Sequence, residues 1–377
     1  PRNSSSKCET QQHTDDCCST TTTEASTQLT LMTVAAQLRL KLPRNCTFSG
    51  LLNRLYSLSF TRSLLLMMRN TELLKLHQEQ ESCPLFRCVA AQLTFTLKPE
   101  YVSILAKELN ATGKELDFRQ QEAKTLDTIN TDVSKATNGL IDKLLEQTSN
   151  ETVLILVNAI YFKGLWKKPF CKYETYEEGL FNTSSGACIK TPLMFMRRRM
   201  PYVFDNETGT KAVQLNYQKE GNISMVIILP GEGVQIKKFL ENELTSSKLY
   251  DILNLFSVQP KVNLTLPRFK LSATHQLIEP LSKLGVTDVF DSSKANLSHI
   301  SSSGPLFVTE VVQKAVIAVD EEGTETAAAT ALLIEYSLGA PSRKEEVYFT
   351  ADRPFIFALV TQDTPKQVLF IGVVEDP

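Results

Sequence analysis

Between Gly323 and Glu335 the chain alternates. Read as a strand, Thr324, Thr326, Ala328, Thr330, Leu332 and Ile334 share one face, while Glu325 and Glu335 fall on the other. One face can therefore be buried without burying a charge. Small residues open the segment, and small side chains are what a close-packed interior can admit between two existing strands. The same stretch, Thr326 to Leu333, also reads as an alanine-rich helix on propensity, which is a weak guide by itself. The pattern alone leaves two elements open: a helix, or a strand built to slide into a sheet.

Other segments separate these readings. Leu156-Val157-Asn158-Ala159-Ile160-Tyr161-Phe162-Lys163-Gly164-Leu165-Trp166 carries the only tryptophan of the chain. Leu266-Pro267-Arg268-Phe269-Lys270 stands further along the chain, and Leu284-Gly285-Val286-Thr287-Asp288-Val289-Phe290 follows that segment at short distance. Phe349-Thr350-Ala351-Asp352-Arg353-Pro354-Phe355-Ile356-Phe357 and Val368-Leu369-Phe370-Ile371-Gly372 close the chain. Together with Asp320-Glu321-Glu322-Gly323-Thr324-Glu325-Thr326-Ala327-Ala328-Ala329-Thr330, this ordered set resembles the serpin family. The last segment resembles the hinge of the reactive-centre loop, and Leu156 to Trp166 the third strand of the central sheet. The resemblance covers residues 98–377, beginning at Lys98-Pro99-Glu100-Tyr101-Val102. It implies an α+β fold of three β-sheets with surrounding helices and an exposed reactive-centre loop, in one domain overall.

The first 97 residues differ in composition. They hold Cys8, Cys17, Cys18, Cys46, Cys83 and Cys88, one glycine (Gly50) and a threonine run from Thr20 to Thr23. Arg and Lys number ten there and Asp and Glu seven, a balance of +3 against −2 for the whole chain. The family resemblance implies a Ser-Pro-x-Ser-Ile helix start in this region, and none is present. Three readings fit: a diverged serpin start, a foreign extension, or a wrongly assembled coding frame, the last favoured by scarce glycine and clustered cysteine without a clean helical period. Because the chain starts at Pro1, a missing signal peptide carries no information.

Composition narrows the function. At 377 residues and 42% hydrophobic content the chain can bury a substantial core. A net charge of −2 gives no reason to expect nucleic acid as a partner, and Arg197-Arg198-Arg199 reads as a solvated run. Apolar runs such as Leu64 to Met68 are too short to span a bilayer. Among His13, His77, His275 and His299 there is no His-Glu-x-x-His pair, and there is neither a Gly-x-Ser-x-Gly elbow nor a phosphate-binding glycine loop. His275 and His299 read as surface residues. His13 with Cys17 and Cys18 looks metal-like, but adjacent cysteines are poor tetrahedral ligands, so neither metal nor cofactor is expected. An enzyme is not the expectation.

The resemblance implies a suicide-substrate inhibitor of serine proteases, acting as a monomer: cleavage frees the hinge, Glu322 to Thr330, to enter the central sheet. Family spacing of fourteen residues from Gly323 places the reactive bond at Ser337-Leu338, which favours a chymotrypsin-like or elastase-like target. Counting back from Pro354 reaches Arg343-Lys344 instead, which suits a trypsin-like one. The resemblance also implies a polar cluster on the central sheet involving Asn158, where Gln313 replaces the usual histidine but can still donate and accept. Asp132 stands where a tryptophan is common, so its helix is expected to be exposed or rearranged there. A non-inhibitory carrier, chaperone or storage protein is the alternative, although the hinge lacks the charged or bulky residues that such members place on its buried face. A third class, an interaction protein built on the cysteine-rich start, requires residues 1–97 to be genuine.

Asn-x-Ser/Thr sequons lie at Asn110, Asn150, Asn182, Asn206, Asn222, Asn263 and Asn296, with Asn3 and Asn45 ahead of them. They exceed chance placement and point to a secreted glycoprotein. The Phe-Thr-Ala-Asp-Arg-Pro-Phe wording and the ending at Pro377 instead resemble the intracellular ovalbumin-like branch, which keeps a cytoplasmic location as the alternative. Cys171 and Cys188 are left without an assigned state.

Overall fold

The computed structural model describes residues 85–162, 164–218, 223–257, 259–283, 285–323, 346–363 and 366–377. Its strands are β1 (Leu85–Gln92), β2 (Thr112–Leu116), β3 (Leu154–Phe162), β4 (Tyr176–Asn182), β5 (Cys188–Arg199), β6 (Tyr202–Phe204), β7 (Lys211–Asn216), β8 (Ile223–Leu229), β9 (Lys261–Pro267), β10 (Phe269–Gln276), β11 (Glu310–Val319), β12 (Glu346–Thr350), β13 (Phe355–Thr361) and β14 (Val368–Val374). They build three sheets: a central one ordered β10-β11-β3-β1-β2, a second ordered β12-β9-β5-β4, and a third ordered β14-β13-β8-β7-β6. Helices surround them, so the α+β class and the three-sheet plan expected from the sequence are both present.

Each helix has a local reason. In α1 (Pro99–Leu109), Pro99 opens the first turn and Glu100 complements the helix dipole. Tyr101, Leu105 and Leu109 recur every four residues and form its buried face, and Asn110 ends the helix in the left-handed region at φ 47°. Helix α2 (Glu122–Ala136) buries Thr125, Ile129 and Val133 at the same spacing. Asp132 lies one step round, partly exposed and ion-paired with Lys114 of β2. That pairing is how the helix accommodates a charge at this position.

The central sheet is covered on both faces. Cys88, Val157, Ala159 and Val312 pack with Ile129 and Val133 of α2 on one side. On the other, Val89, Leu154, Leu156 and Val311 join the α1 cluster, whereas Leu85, Ile160, Phe162 and Ile317 join the large cluster shared with the second and third sheets. Strand β1 lies wholly ahead of Lys98, yet it pairs with both β3 and β2 inside this sheet. The sheet therefore begins upstream of the first residues that carry the sequence resemblance.

Strands β3 and β11 are direct neighbours, and parallel. Their register runs from Glu310 opposite Ile155 to Ile317 opposite Phe162.

Candidate functional site

At the top of the β3–β11 seam the chain leaves β11 and turns. The turn spans Asp320 to Gly323: Asp320 Oδ1 accepts from the backbone N–H of Glu322 and of Gly323, both at 2.9 Å. Gly323 sits at φ +132°, and a Cβ there would lie 2.2 Å from the Gly164 carbonyl oxygen. Only glycine fits so close an approach at that torsion. Gly323 forms an antiparallel bridge with Leu165, just past the end of β3. The chain has thus reversed direction and lies beside β3's extension before the segment beginning at Thr324.

Trp166 secures this corner. Its indole N–H donates to the Asp320 carbonyl at 2.9 Å, and its backbone N–H donates to Glu322. Its ring stacks on Tyr217 with centroids 4.4 Å apart and is 1% exposed. The single tryptophan therefore ties the hinge, the central sheet and the third sheet together.

Charge fixes the turn as well. Glu321 is 3% exposed and accepts from Arg268 at 2.6 Å and from Thr175 at 2.7 Å. Burial pushes its carboxyl up, but donation from Arg268 and Thr175 outweighs that and holds it below the usual range. Glu322 pairs with Lys172 at 2.7 Å, a contact that raises the affinity of the ammonium for its proton. Burial pushes the Asp320 carboxyl up, opposed by its two backbone donors. Of the predicted hinge, Glu322 and Gly323 are placed here. Thr324, Glu325, Thr326, Ala327, Ala328, Ala329 and Thr330 lie outside the described residues, as do Ser337, Leu338, Arg343 and Lys344.

Lower in the seam, the structure brings Asn158 and Gln313 into register. The row continues to Arg87 on β1 and His275 on β10. It crosses the sheet between the two apolar clusters on that face. His275 is 4% exposed, which corrects its reading as a surface residue: alternation along β10 from Phe269 puts residue 275 on the inward face. Burial lowers its imidazole pKa. A histidine thus stands in this row on β10, one strand out from Gln313, and the period-two pattern starting at Phe269 is the signal that locates it. Asn158 Oδ1 has no hydrogen-bond partner among the described residues.

Of the sequons, Asn110, Asn150, Asn182, Asn206 and Asn296 are exposed. Asn263 is 7% exposed on β9, with its amide donating to Glu346. Asn222 lies outside the described residues. Cys171 and Cys188 are not joined to each other by a disulfide, and the buried Cys88 thiol is pushed up to about 11 by burial. Among the described residues no cluster of His, Cys, Asp and Glu is placed to hold a metal ion, and no helix is long and apolar enough to cross a membrane.

Comparison with known proteins agrees with this geometry. The family model for serpins (serine protease inhibitors) matches residues 54–377, a start well ahead of Lys98. Human leukocyte elastase inhibitor is 36% identical over 294 residues, covering 75% of each chain. Iris, from the tick Ixodes ricinus, is 37% identical over 288 residues, covering 76% of this chain and 74% of its own. Among solved structures, the thermophilic serpin tengpin in its native state matches with a TM-score of 0.69 at 29% identity, covering 79% of this chain and 75% of tengpin. The protein described here belongs to the serpin family.

Proposed function

We propose that this serpin inhibits serine proteases as a suicide substrate, by inserting its cleaved loop between β3 and β11. The observation that carries this reading is the parallel seam with Gly323 already turned antiparallel at its head. A strand continuing from Gly323 down the seam runs antiparallel to β11 and, because β3 and β11 are parallel, antiparallel to β3 as well. Insertion exchanges one parallel interface for two antiparallel ones, and antiparallel pairing is slightly the more stable per residue.

In this mechanism the serine of the protease attacks the carbonyl of Ser337, releases the amine of Leu338 and leaves the protease esterified to the loop. Water would ordinarily hydrolyse that ester. Here the freed strand enters the sheet first and carries the tethered protease to the far end of the seam. About a dozen inserted residues at about 1 kcal/mol net per hydrogen bond supply a driving force on the order of 10–20 kcal/mol. The uncleaved form is then kinetically trapped rather than lowest in free energy. An elastase-like or chymotrypsin-like target follows from the Tyr336-Ser337-Leu338 sequence, and the name of the human relative supports the former.

The buried face of the inserting strand starts at Thr324. Thr324→Arg places a charge where the sheet must close, and burying an unpaired charge is costly. The expected outcome is conversion from inhibitor to substrate: loss of the SDS-stable complex with elastase, with cleavage still occurring and a released fragment beginning at Leu338. Undiminished complex formation by Thr324→Arg would overturn insertion through this face. A fragment beginning at Lys344 would move the reactive bond to Arg343.

A further inference from the structure

The turn that grips the hinge carries two tyrosines with no part in that grip. In Lys172-Tyr173-Glu174-Thr175-Tyr176-Glu177-Glu178, Lys172 reaches Glu322 and Thr175 reaches Glu321, each at 2.7 Å, and Glu177 lies 3.6 Å from Arg268. Tyr173 and Tyr176 face solvent, at 95% and 66% exposure. Tyrosine normally buries its ring and leaves only the hydroxyl wet, so two such exposed rings six residues or fewer from the hinge contacts call for a reason. Glu174, Glu177 and Glu178 flank them, and Tyr173 sits in a short turn, Lys172–Glu174, that leaves its phenol open to a second protein.

We propose that Tyr173 and Tyr176 form a modification site, at which each phenol is esterified with an anionic tetrahedral group, sulfuryl or phosphoryl. The flanking glutamates suit a transferase whose peptide groove is basic, by charge complementarity. The phenol oxygen attacks the sulfur or phosphorus of a nucleotide-activated donor, a nucleotide-linked sulfate or a nucleoside triphosphate. The new O–S or O–P bond forms as the bond to the donor's leaving phosphate oxygen breaks, and the phenolic proton passes to a base of the transferase. No oxidation state changes.

The consequence rests on the inhibitory reading above. An ester on Tyr173 sets strong acceptor oxygens one residue from the Lys172 ammonium, which is 64% exposed. The ester competes with Glu322 for that cation, and its charge repels Glu321 and Glu322. Esterification therefore loosens the hinge and speeds insertion.

Peptide mapping of the protein isolated from the cells that make it tests the site directly. The expected result is a peptide containing Tyr173 and Tyr176 that carries the added group, with accurate mass and phosphatase treatment telling sulfuryl from phosphoryl; complete coverage with both tyrosines unmodified would overturn the proposal. Tyr173→Phe/Tyr176→Phe should abolish the added mass without altering inhibition by the unmodified protein. Esterified protein should form complex about two- to threefold faster than ester-free protein, the scale of displacing one exposed ion pair; equal rates would overturn the hinge effect. Because the added mass is read without any inhibition assay, loss of the modification site and loss of the inhibitory reading give different results.

Discussion

Two strand junctions in this molecule contrast. Strands β8 and β13 meet antiparallel in the third sheet, and every residue of both is buried. Strands β3 and β11 meet in parallel, β11 is only half-buried along much of its length, and a polar row crosses their seam at Asn158 and Gln313. The first junction is a frame: opening it would expose apolar surface on both faces at once. The second is interrupted by polar groups, one of them Asn158 Oδ1 without a partner among the described residues, and has a turned hinge at its head. A sheet can hold a metastable gap only if the rest of the molecule does not share its weakness.

The largest expected effect separates the two junctions. Cleavage of the loop should raise the melting temperature by about 10–25 °C, since a gain on the order of 10–20 kcal/mol is spread over the unfolding entropy of a chain this long. Calorimetry of intact and cleaved samples reads it. Equal melting points would mean that the seam is as closed as the frame.

Next in size is a cavity in the frame. Phe355 on β13 is fully buried and packs edge-on against Phe269 with centroids 5.8 Å apart. Phe355→Ala should cost about 3–5 kcal/mol, and it should do so in intact and cleaved protein alike. Denaturant midpoints of both forms check this. A loss confined to the intact form would show that frame and seam are not separate.

The smallest effect lies at the hinge. Glu321→Gln keeps the shape but removes the charge that Arg268 and Thr175 hold, at a cost of about 1–2 kcal/mol, toward the low end because Arg268 is 40% exposed. The variant should lose inhibitory activity faster on mild heating while unfolding at nearly the wild-type denaturant concentration if the anchor guards the seam alone. Retained activity over the same heating would remove Glu321 from the account.

How far these features were legible in the sequence depends on their range. Strands β3, β13 and β14 were readable through the resemblance their segments carry, with Asn158 interrupting the apolar run of β3, and Gly323 because a glycine between two acids and a small-residue strand has few other uses. That β3 and β11 border the seam was implied by the resemblance alone, since no local pattern records which strands are neighbours, and their parallel direction was not read from the sequence. His275 was misread because a lone histidine carries no sign of its face until the strand's phase is fixed by Phe269. Strand β1 was missed because it lies amid cysteine-rich, glycine-poor sequence and its short run, Leu85 to Ala91, is interrupted by Arg87, even though Pro84 stands just ahead of it. Asp132 looked costly until β2 supplied Lys114, a partner eighteen residues away that spacing could not pair with it.

The central claim is that the seam between β3 and β11 must open, and a staple across it is the most direct test. Asn158 and Gln313 are register partners on the same face, and strands lie about 4.8 Å apart, close enough for a disulfide between Asn158→Cys and Gln313→Cys. Oxidised, the stapled protein should be cut by elastase without forming an SDS-stable complex, and reductant should restore complex formation to that of the same variant never oxidised. Complex formation at equal rate and yield with the staple closed and open would contradict insertion at this seam.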